Sequence, residues 1–310
     1  MAGRFAPSPT SALHLGNLRT ALVAWLMARR TGRQFLIRVE DLDAARVAAA
    51  AGTARQQLSD LAALGLVADQ PVAWQSQRLE GYAAALERLR PLTYECFCTR
   101  REIAQAASAP HGDGYRPYPG TCRDLDPLQR ARLRAVRPPA LRIRAERAVM
   151  AVHDEWAGTV TGVVDDFVLV RNDGVPAYNL AVVVDDLDQG IDQVIRGDDL
   201  LTSSPRQAWL AGQLGGSPPQ YGHVPLALNQ AGHRLAKRDG AVSLADLAAV
   251  GLRAGDVLGL LATSLGLAAQ GETVTLTRLV ERFDPAALPR SPWVVDPRTY
   301  AEYANNRSIT

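Results

Sequence analysis

The residue types best suited to chemistry stand near the start of the chain, where Arg4, Phe5, Ala6, Pro7, Ser8, Pro9 and Thr10 lead into Leu13, His14, Leu15, Gly16 and Asn17. An imidazole beside a glycine, just ahead of an amphipathic stretch, suits a phosphate. Leu18, Leu22, Trp25 and Leu26 fall at i, i+4, i+7 and i+8, which predicts a helix from Asn17 to about Arg30 that Gly32 terminates. The positive end of its dipole then sits at the His14 to Asn17 step and attracts anions. Gly16 lets a nucleotide approach the backbone, His14 can donate to phosphate oxygens, and Pro7 and Pro9 stiffen the approach so that little ordering entropy is lost. A second phosphate candidate is the basic run Arg234, Leu235, Ala236, Lys237, Arg238, delivered by what reads as a tight hairpin over Asn229 to Arg234.

The three cysteines suggest a metal. Cys96 and Cys98 form a Cys-x-Cys pair around Phe97, and Cys122 follows a Gly- and Pro-rich stretch that can fold back toward it. Zinc favours four ligands, so three thiolates leave one place open. His111 and Asp124 are both near enough in sequence to fill it. The thiols lie far in sequence from the phosphate motifs, which points to a structural ion rather than a catalytic one.

The elements that must position these groups alternate as α/β. Arg4 to Ala6 ends a first strand, the helix follows, and Gln34 to Val39 reads as a buried second strand ending at Glu40, a βαβ unit. Residues at the carboxyl ends of parallel strands line the crevice of an open sheet, which puts Glu40 and Asp41 in a site. Thr53 to Leu64 and Gln77 to Leu89 read as helices. Ala140 to Arg144, Ala148 to Val152 and Thr159 to Val170 alternate as antiparallel strands, with Asn172, Asp173 and Gly174 as a turn. Tyr178 to Val184 fits strand or helix. Gln193 to Arg196 reads as another buried strand followed by a turn at Gly197 to Asp199 and a helix over 199–214; 243–267 is helical by pattern, and the last forty residues give a weak signal.

Composition narrows the class. A chain of 310 residues is ample for a large core and, as a soft expectation, about two domains. No apolar run reaches the ~18 residues of a membrane span, and the N-terminus has no charged-then-apolar secretory signature, so a cytoplasmic protein with no membrane partner is expected. A formal net charge of +2 excludes a globally basic nucleic-acid binder; any RNA contact must come from local arginine-rich faces.

Further segments complete an ordered set: Arg38 to Asp43, Asp166 to Gly174, Ala177 to Asp186, Arg196 to Leu201, Ser204 to Gln207, and Arg234 to Arg238. Together with Pro7 to Thr10 and His14 to Asn17, they resemble the class I aminoacyl-tRNA synthetases, most closely the glutamyl subgroup and its short glutamyl-queuosine tRNA(Asp) synthetase branch, over about residues 3 to 250. The resemblance implies a Rossmann-like catalytic domain with a parallel sheet, an inserted zinc-containing acceptor-type subdomain and a short C-terminal helical region. In residue terms these are 1–90 and 171–240 for the two catalytic halves, 91–170 for the insert and 241–310 for the helical end. It resolves Tyr178 to Val184 as helix. It implies ATP-dependent activation of L-glutamate, with His14, Asn17 and Lys237 as catalytic groups. ATP is held by His14, Gly16, Asn17 and Lys237, and a Mg²⁺ bridges the phosphates. It assigns glutamate to Arg4, Phe5, Ala6, Pro7, Ser8, Glu40, Tyr178 and Arg196. Arginines suit carboxylates, a glutamate suits the ammonium, and a tyrosine can donate its hydroxyl. It also assigns the zinc ligands as Cys96, Cys98, Tyr118 and Cys122. The sequence departs from the family at Ser11 and Ala12, where Gly-Pro is usual, and at Arg234, Ala236 and Arg238, which replace Lys, Ser and Ser of the lysine loop.

The acceptor implied by the resemblance is the queuosine cyclopentenediol in the anticodon stem-loop of tRNA(Asp), because full-length glutamyl-tRNA synthetases continue into a helical anticodon-reading module. The alternatives are a truncated or discriminating enzyme that charges a tRNA 3′ end, and a non-catalytic glutamate- or tRNA-binding module. A monomer with no DNA partner is expected.

Overall fold

The computed structural model describes residues 1–99, 101–103, 117–235 and 242–296. Its centre is a seven-stranded sheet in the order β3-β2-β1-β9-β10-β6-β7. In chain order these strands are β1 (Ala2–Phe5), β2 (Gln34–Val39), β3 (Ala73–Trp74), β6 (Ala148–Asp154), β7 (Gly158–Val164), β9 (Ile191–Gly197) and β10 (Gln220–Val224). All neighbouring pairs run parallel except β6 and β7, an antiparallel hairpin added at one edge. Parallel strands are covered on both faces, and β2 shows this residue by residue. Phe35 and Ile37 join the core beneath α1 (Leu15–Arg30), while Leu36 between them joins Val152, Val194 and Tyr221 on the other side.

Helix α1 begins two residues before the expected position. His14 is its N-cap: its backbone is extended, its ring accepts from the Gly16 and Asn17 amides, and the Asn17 side chain accepts from the His14 amide. This reciprocal capping box satisfies donors that a helix start otherwise leaves open. On the opposite face, α4 (Leu79–Leu89), α6 (Tyr178–Asp188) and α7 (Ser204–Gln213) share a second apolar cluster. Tyr178 therefore opens a helix, and the expected helix over 199–214 is a 3-10 turn, Asp198–Ser203, running into α7.

The stretch 91–170, expected as one insert, contributes to two sheets. Strands β4 (Thr93–Cys96), β5 (Ala140–Ile143) and β8 (Val168–Val170) form a small antiparallel sheet, with α5 (Pro127–Arg134) nearby in sequence, whereas β6 and β7 join the main sheet. The expected strand Thr159 to Val170 is accordingly broken at Asp165 and Asp166, where the chain passes from one sheet to the other. At the C-terminal side, 243–267 divides into α8 (Leu244–Ala249) and α9 (Ala254–Ser264) around Gly251, whose φ of 89° lies in the left-handed region that favours glycine. These helices and α10 (Leu276–Arg282) pack Leu247, Val257, Leu261, Leu279 and Phe283 against the α1 core. The weakly patterned end also supplies β12 (Trp293–Val294), which pairs in parallel with β11 (Ala227–Leu228). Among the described residues no helix is long and apolar enough to cross a membrane.

Candidate functional site

A cavity of about 480 Å³ opens at the carboxyl ends of β1, β2 and β9, within the range of small-molecule sites. Its wall contains all eight residues expected to meet glutamate: Arg4, Phe5, Ala6, Pro7, Ser8, Glu40, Tyr178 and Arg196, and also His14, Gly16 and Asn17. Lys237, like Ala236, Arg238 and His111, lies outside the described residues. Of the two flanks of the stretch that carries Lys237, one meets the start of α1 and the other lines the cavity. Arg234 lines it and pairs with Asp199, while Val242 accepts a hydrogen bond from the Leu15 amide at 3.1 Å and Ser243 forms an isolated bridge with His14.

The loop after β1 is held by groups that no short motif announces. The Gln57 side-chain amide, on α3 (Thr53–Ala63), donates to the carbonyls of Ser8 at 3.0 Å and Ser11 at 2.7 Å. The Glu40 amide donates to the Pro7 carbonyl at 3.0 Å, tying the loop to the end of β2. Thr10, Gln57, Asp199 and Arg234 complete a wall that is more polar than the motifs alone suggested.

His14, expected to donate to phosphate oxygens, can do so from one ring nitrogen only. The Gly16 and Asn17 amides approach its Nδ1 at 3.1 and 3.4 Å, so that atom is an acceptor and the ring proton belongs on Nε2. Burial, followed by the positive charge of Arg234, lowers its pKa to about 4. At neutral pH the imidazole is an uncharged Nε2–H donor. Among the described residues, Arg234 supplies cationic charge on this side of the cavity.

Arg4 is buried and engaged from behind. Its Nε and Nη2 donate to the two carboxylate oxygens of Asp186 at 3.2 and 3.1 Å, leaving Nη1 outside that pair. Asp186 also meets Arg38 at 2.8 Å, and Arg38 lies 3.7 Å from Glu40. Burial opposes the Asp186 charge, but Arg4 and Arg38 outweigh it and hold its carboxyl below the usual range. Glu40 is pushed the other way, since burial exceeds the help it receives from Arg38 and Arg4. A carboxyl in that condition gains strongly from an incoming ammonium. The neighbouring Asp185 is buried beneath and accepts from Gln75 and from the Tyr82 hydroxyl, at 2.8 and 2.9 Å, while it pairs with Arg78.

Arg196 is held differently. Its Nε donates to His223 Nε2 at 2.9 Å, Nη1 to Gln207 Oε1 at 2.7 Å and to the Tyr178 hydroxyl at 3.5 Å, and Nη2 to Ser204 Oγ at 2.9 Å and the Leu200 carbonyl at 3.3 Å. All these acceptors are uncharged, so the guanidinium keeps its full positive charge at the cavity wall. The contact to Tyr178 is the longest and involves a side chain that lines the cavity, making it the most readily exchanged for a substrate oxygen.

The cysteines also converge. Cys96, Cys98 and Cys122 bring their sulfurs within 4.8 Å of one another. Tyr118 Oη lies 3.4 Å from Cys96 Sγ and 3.6 Å from Cys98 Sγ, and the Cys98 and Cys122 sulfurs are 3.5 Å apart. Ligands around a tetrahedral zinc with ~2.3 Å bonds stand roughly 3.7 Å apart, so the donor set fits that ion in spacing and chemistry. Asp124, the alternative fourth ligand, is instead paired with Arg144 at 3.0 Å and turned outward. The Arg142 guanidinium lies 3.8 Å from the centre of the Tyr118 ring, a cation beside donors that would carry negative charge around a metal.

Comparison with known proteins gives this arrangement a context. The profile of tRNA synthetases class I (E and Q), catalytic domain, matches residues 1–298. A glutamyl-Q tRNA(Asp) synthetase of Nocardia farcinica is 59% identical over 95% of this chain and 93% of the relative. One of Symbiobacterium thermophilum is 45% identical over 97% and 98%. Among solved structures, a glutamate tRNA ligase of Elizabethkingia meningosepticum in complex with its amino acid superimposes with a TM-score of 0.80 at 25% identity, covering 99% of this chain and 69% of that one. The class I profile runs through the sheet, the His14 helix and the cavity wall, and the relatives match nearly end to end: the chain belongs to the class I glutamyl and glutaminyl tRNA synthetase family of ligases, in the glutamyl-Q tRNA(Asp) synthetase branch.

Proposed function

We propose that the protein uses ATP to activate L-glutamate as glutamyl-adenylate, without tRNA, and then transfers the glutamyl group to the queuosine cyclopentenediol at the wobble position of tRNA(Asp). The observation that carries this reading is one cavity walled both by the His14 helix start and by charges suited to an acidic amino acid, in a chain whose relatives carry that name. A glutamate α-carboxylate oxygen attacks the α-phosphorus, the bond to the bridging oxygen breaks, and pyrophosphate leaves. An acceptor hydroxyl then attacks the acyl carbon and AMP departs. Neither step needs a protein nucleophile; positioning and charge stabilisation carry it.

In this reading Arg196 and Arg4 meet the carboxylates, Glu40 the ammonium, and Tyr178 donates its hydroxyl. Phe5, Ala6, Pro7 and Ser8 form the wall around the amino acid. His14 Nε2–H donates to phosphate oxygens beside Gly16 and Asn17, and the charge that a neutral imidazole does not supply falls to Arg234 and Lys237; a Mg²⁺, if bound with ATP, would add to it. Cys96, Cys98, Tyr118 and Cys122 would hold a zinc, which would tie the end of β4 to the 118–122 stretch and supply structure rather than chemistry.

Incubation with ATP, labelled glutamate and tRNA(Asp) tests the proposal. Glutamate-dependent pyrophosphate exchange is expected in the absence of tRNA, with base-labile label in the anticodon stem-loop fragment only when the queuosine is present. Label at the 3′ end would replace this reading with the charging of a tRNA terminus, and absence of exchange would remove the enzymatic reading.

Gly16 gives a narrower test. A Cβ built there falls 3.0 Å from His14 Cε1 and 3.0 Å from Ala227 Cβ. Gly16→Ala must displace the imidazole or the wall opposite, at a cost of about 1–3 kcal/mol. An ATP KM raised roughly tenfold is expected, with the glutamate KM little changed, read by pyrophosphate exchange.

A further inference from the structure

We infer that Asp154 and His223 form a two-residue relay that positions Arg196 for the substrate carboxylate, acting from behind the cavity without touching the ligand. The inference rests on the reading of Arg196 as a partner of glutamate and adds to it two residues that lie outside the cavity wall.

The relay runs across three strands. Asp154 ends β6, His223 lies on β10 and Arg196 on β9, and all three are buried. Asp154 Oδ1 accepts from the amides of Trp156 and Ala157 at 3.0 and 2.9 Å, which fixes the carboxylate in the tight turn between β6 and β7. Its Oδ2 stands 2.6 Å from His223 Nδ1. His223 Nε2 in turn receives the Arg196 Nε–H at 2.9 Å. A guanidinium has no acceptor, so Nε2 must present its lone pair and Nδ1 must carry the proton that Asp154 accepts. The Ser204 hydroxyl, 3.4 Å from Nε2, accepts from Arg196 and has its own proton available for the same lone pair. The tautomer of one ring is therefore set by a carboxylate on one side and read by an arginine on the other.

The arrangement does more than fill a core. A buried cation facing a cavity needs acceptors behind it that hold its plane without cancelling its charge. A carboxylate directly on Arg196 would hold it but compete with glutamate. The neutral imidazole moves the anion one residue back. The ionisable groups around His223 are Asp154 from β6, Arg196 from β9, Arg4 from β1 and Tyr221, whose ring stacks on it with centroids 6.1 Å apart. Burial and the two arginines oppose protonation and Asp154 favours it, with a net lowering from the ordinary histidine value.

Asp154→Asn is the test. The amide oxygen keeps the bonds to Trp156 and Ala157, while the amide NH₂ can only donate toward Nδ1. The ring must then move its proton to Nε2, against the Arg196 Nε–H. Loss of one charge-assisted hydrogen bond to a binding arginine predicts a glutamate KM raised about tenfold to a hundredfold. The ATP KM and thermal unfolding of this isosteric variant should remain near those of the parent. In a His223→Leu background, which has no ring to pass on the tautomer, Asp154→Asn should change the glutamate KM little further. Nitrogen-15 spectra of the imidazoles should show His223 with Nδ1 protonated in the parent and Nε2 protonated in Asp154→Asn. An unchanged glutamate KM in folded Asp154→Asn, or an effect of the same size in the His223→Leu background, overturns the relay. Arg196→Ala, assayed alongside, separates the layers. If it raises the glutamate KM while Asp154→Asn does not, the relay alone falls; if it changes nothing, the reading of the pocket falls and takes the relay with it.

Discussion

Arg196→Ala is expected to raise the glutamate KM by roughly two orders of magnitude or more, while the ATP KM stays close to that of the parent. The substitution removes a buried cation with five donor contacts and leaves His223, Gln207 and Ser204 facing a void. Removing one partner of a buried, hydrogen-bonded charge contact costs about 2–5 kcal/mol, and each 1.4 kcal/mol is a factor of ten. Lysine should restore little, because a single ammonium cannot reproduce a planar fork spanning α7, β10 and the 3-10 turn. Pyrophosphate exchange with varied glutamate, on protein shown to be folded by circular dichroism, measures the effect. An unchanged KM would remove Arg196 from the amino-acid subsite.

The largest loss of stability is expected at Asp186. Its carboxylate lies between two buried guanidiniums, Arg4 and Arg38, and carries both ion pairs. Asp186→Ala leaves buried Arg4 without its carboxylate and Arg38 with only Asp185 at 3.4 Å and Glu40 at 3.7 Å, and removing one partner of a buried pair costs about 3–5 kcal/mol. Asp186→Asn keeps the shape and some hydrogen bonding and should lose less. Urea unfolding of both variants checks the order. The sign with pH follows from the same pairing. The folded-state pKa of Asp186 lies below its ordinary value, so its contribution is present above that ordinary value and is lost as pH falls through the lowered one. The acid limb of the stability curve should flatten in Asp186→Asn. Equal stability of Asp186→Ala and the parent would show that the two arginines find other partners.

Much of the site was legible because it hangs on strand ends and on one helix start, features that local sequence encodes. Pro7 to Asn17 and Glu40 mark the carboxyl ends of β1 and β2 by period and composition alone, and the cavity lies there. What local sequence does not encode is which distant group faces which. Asp186 stands in a motif that was noted, yet its partnership with Arg4 spans 182 positions, and no spacing rule reaches that far. Asp154 and His223 belong to no motif and are joined only because β6 lies beside β10. The helix starts two residues before the apolar pattern indicates because histidine is not among the usual capping residues, so residue type alone does not mark His14 as the cap. The break between β7 and β8 was hidden for a related reason: an alternating pattern records that one face is covered, not which sheet covers it.

That break has a mechanical meaning. Asp165 accepts from the Tyr118 amide at 2.9 Å and pairs with Arg206 of α7 at 2.9 Å; Asp166 accepts from the Tyr94 hydroxyl at 2.6 Å and the Ala145 amide at 2.9 Å, and pairs with Arg123 at 2.7 Å. Asp165 thus ties the cysteine-bearing lobe to α7, while Asp166 pins the crossing chain to the lobe itself. Any swing of the lobe about this crossing would have to break the Asp165–Arg206 pair, so the joint resists hinging where a bare linker would permit it.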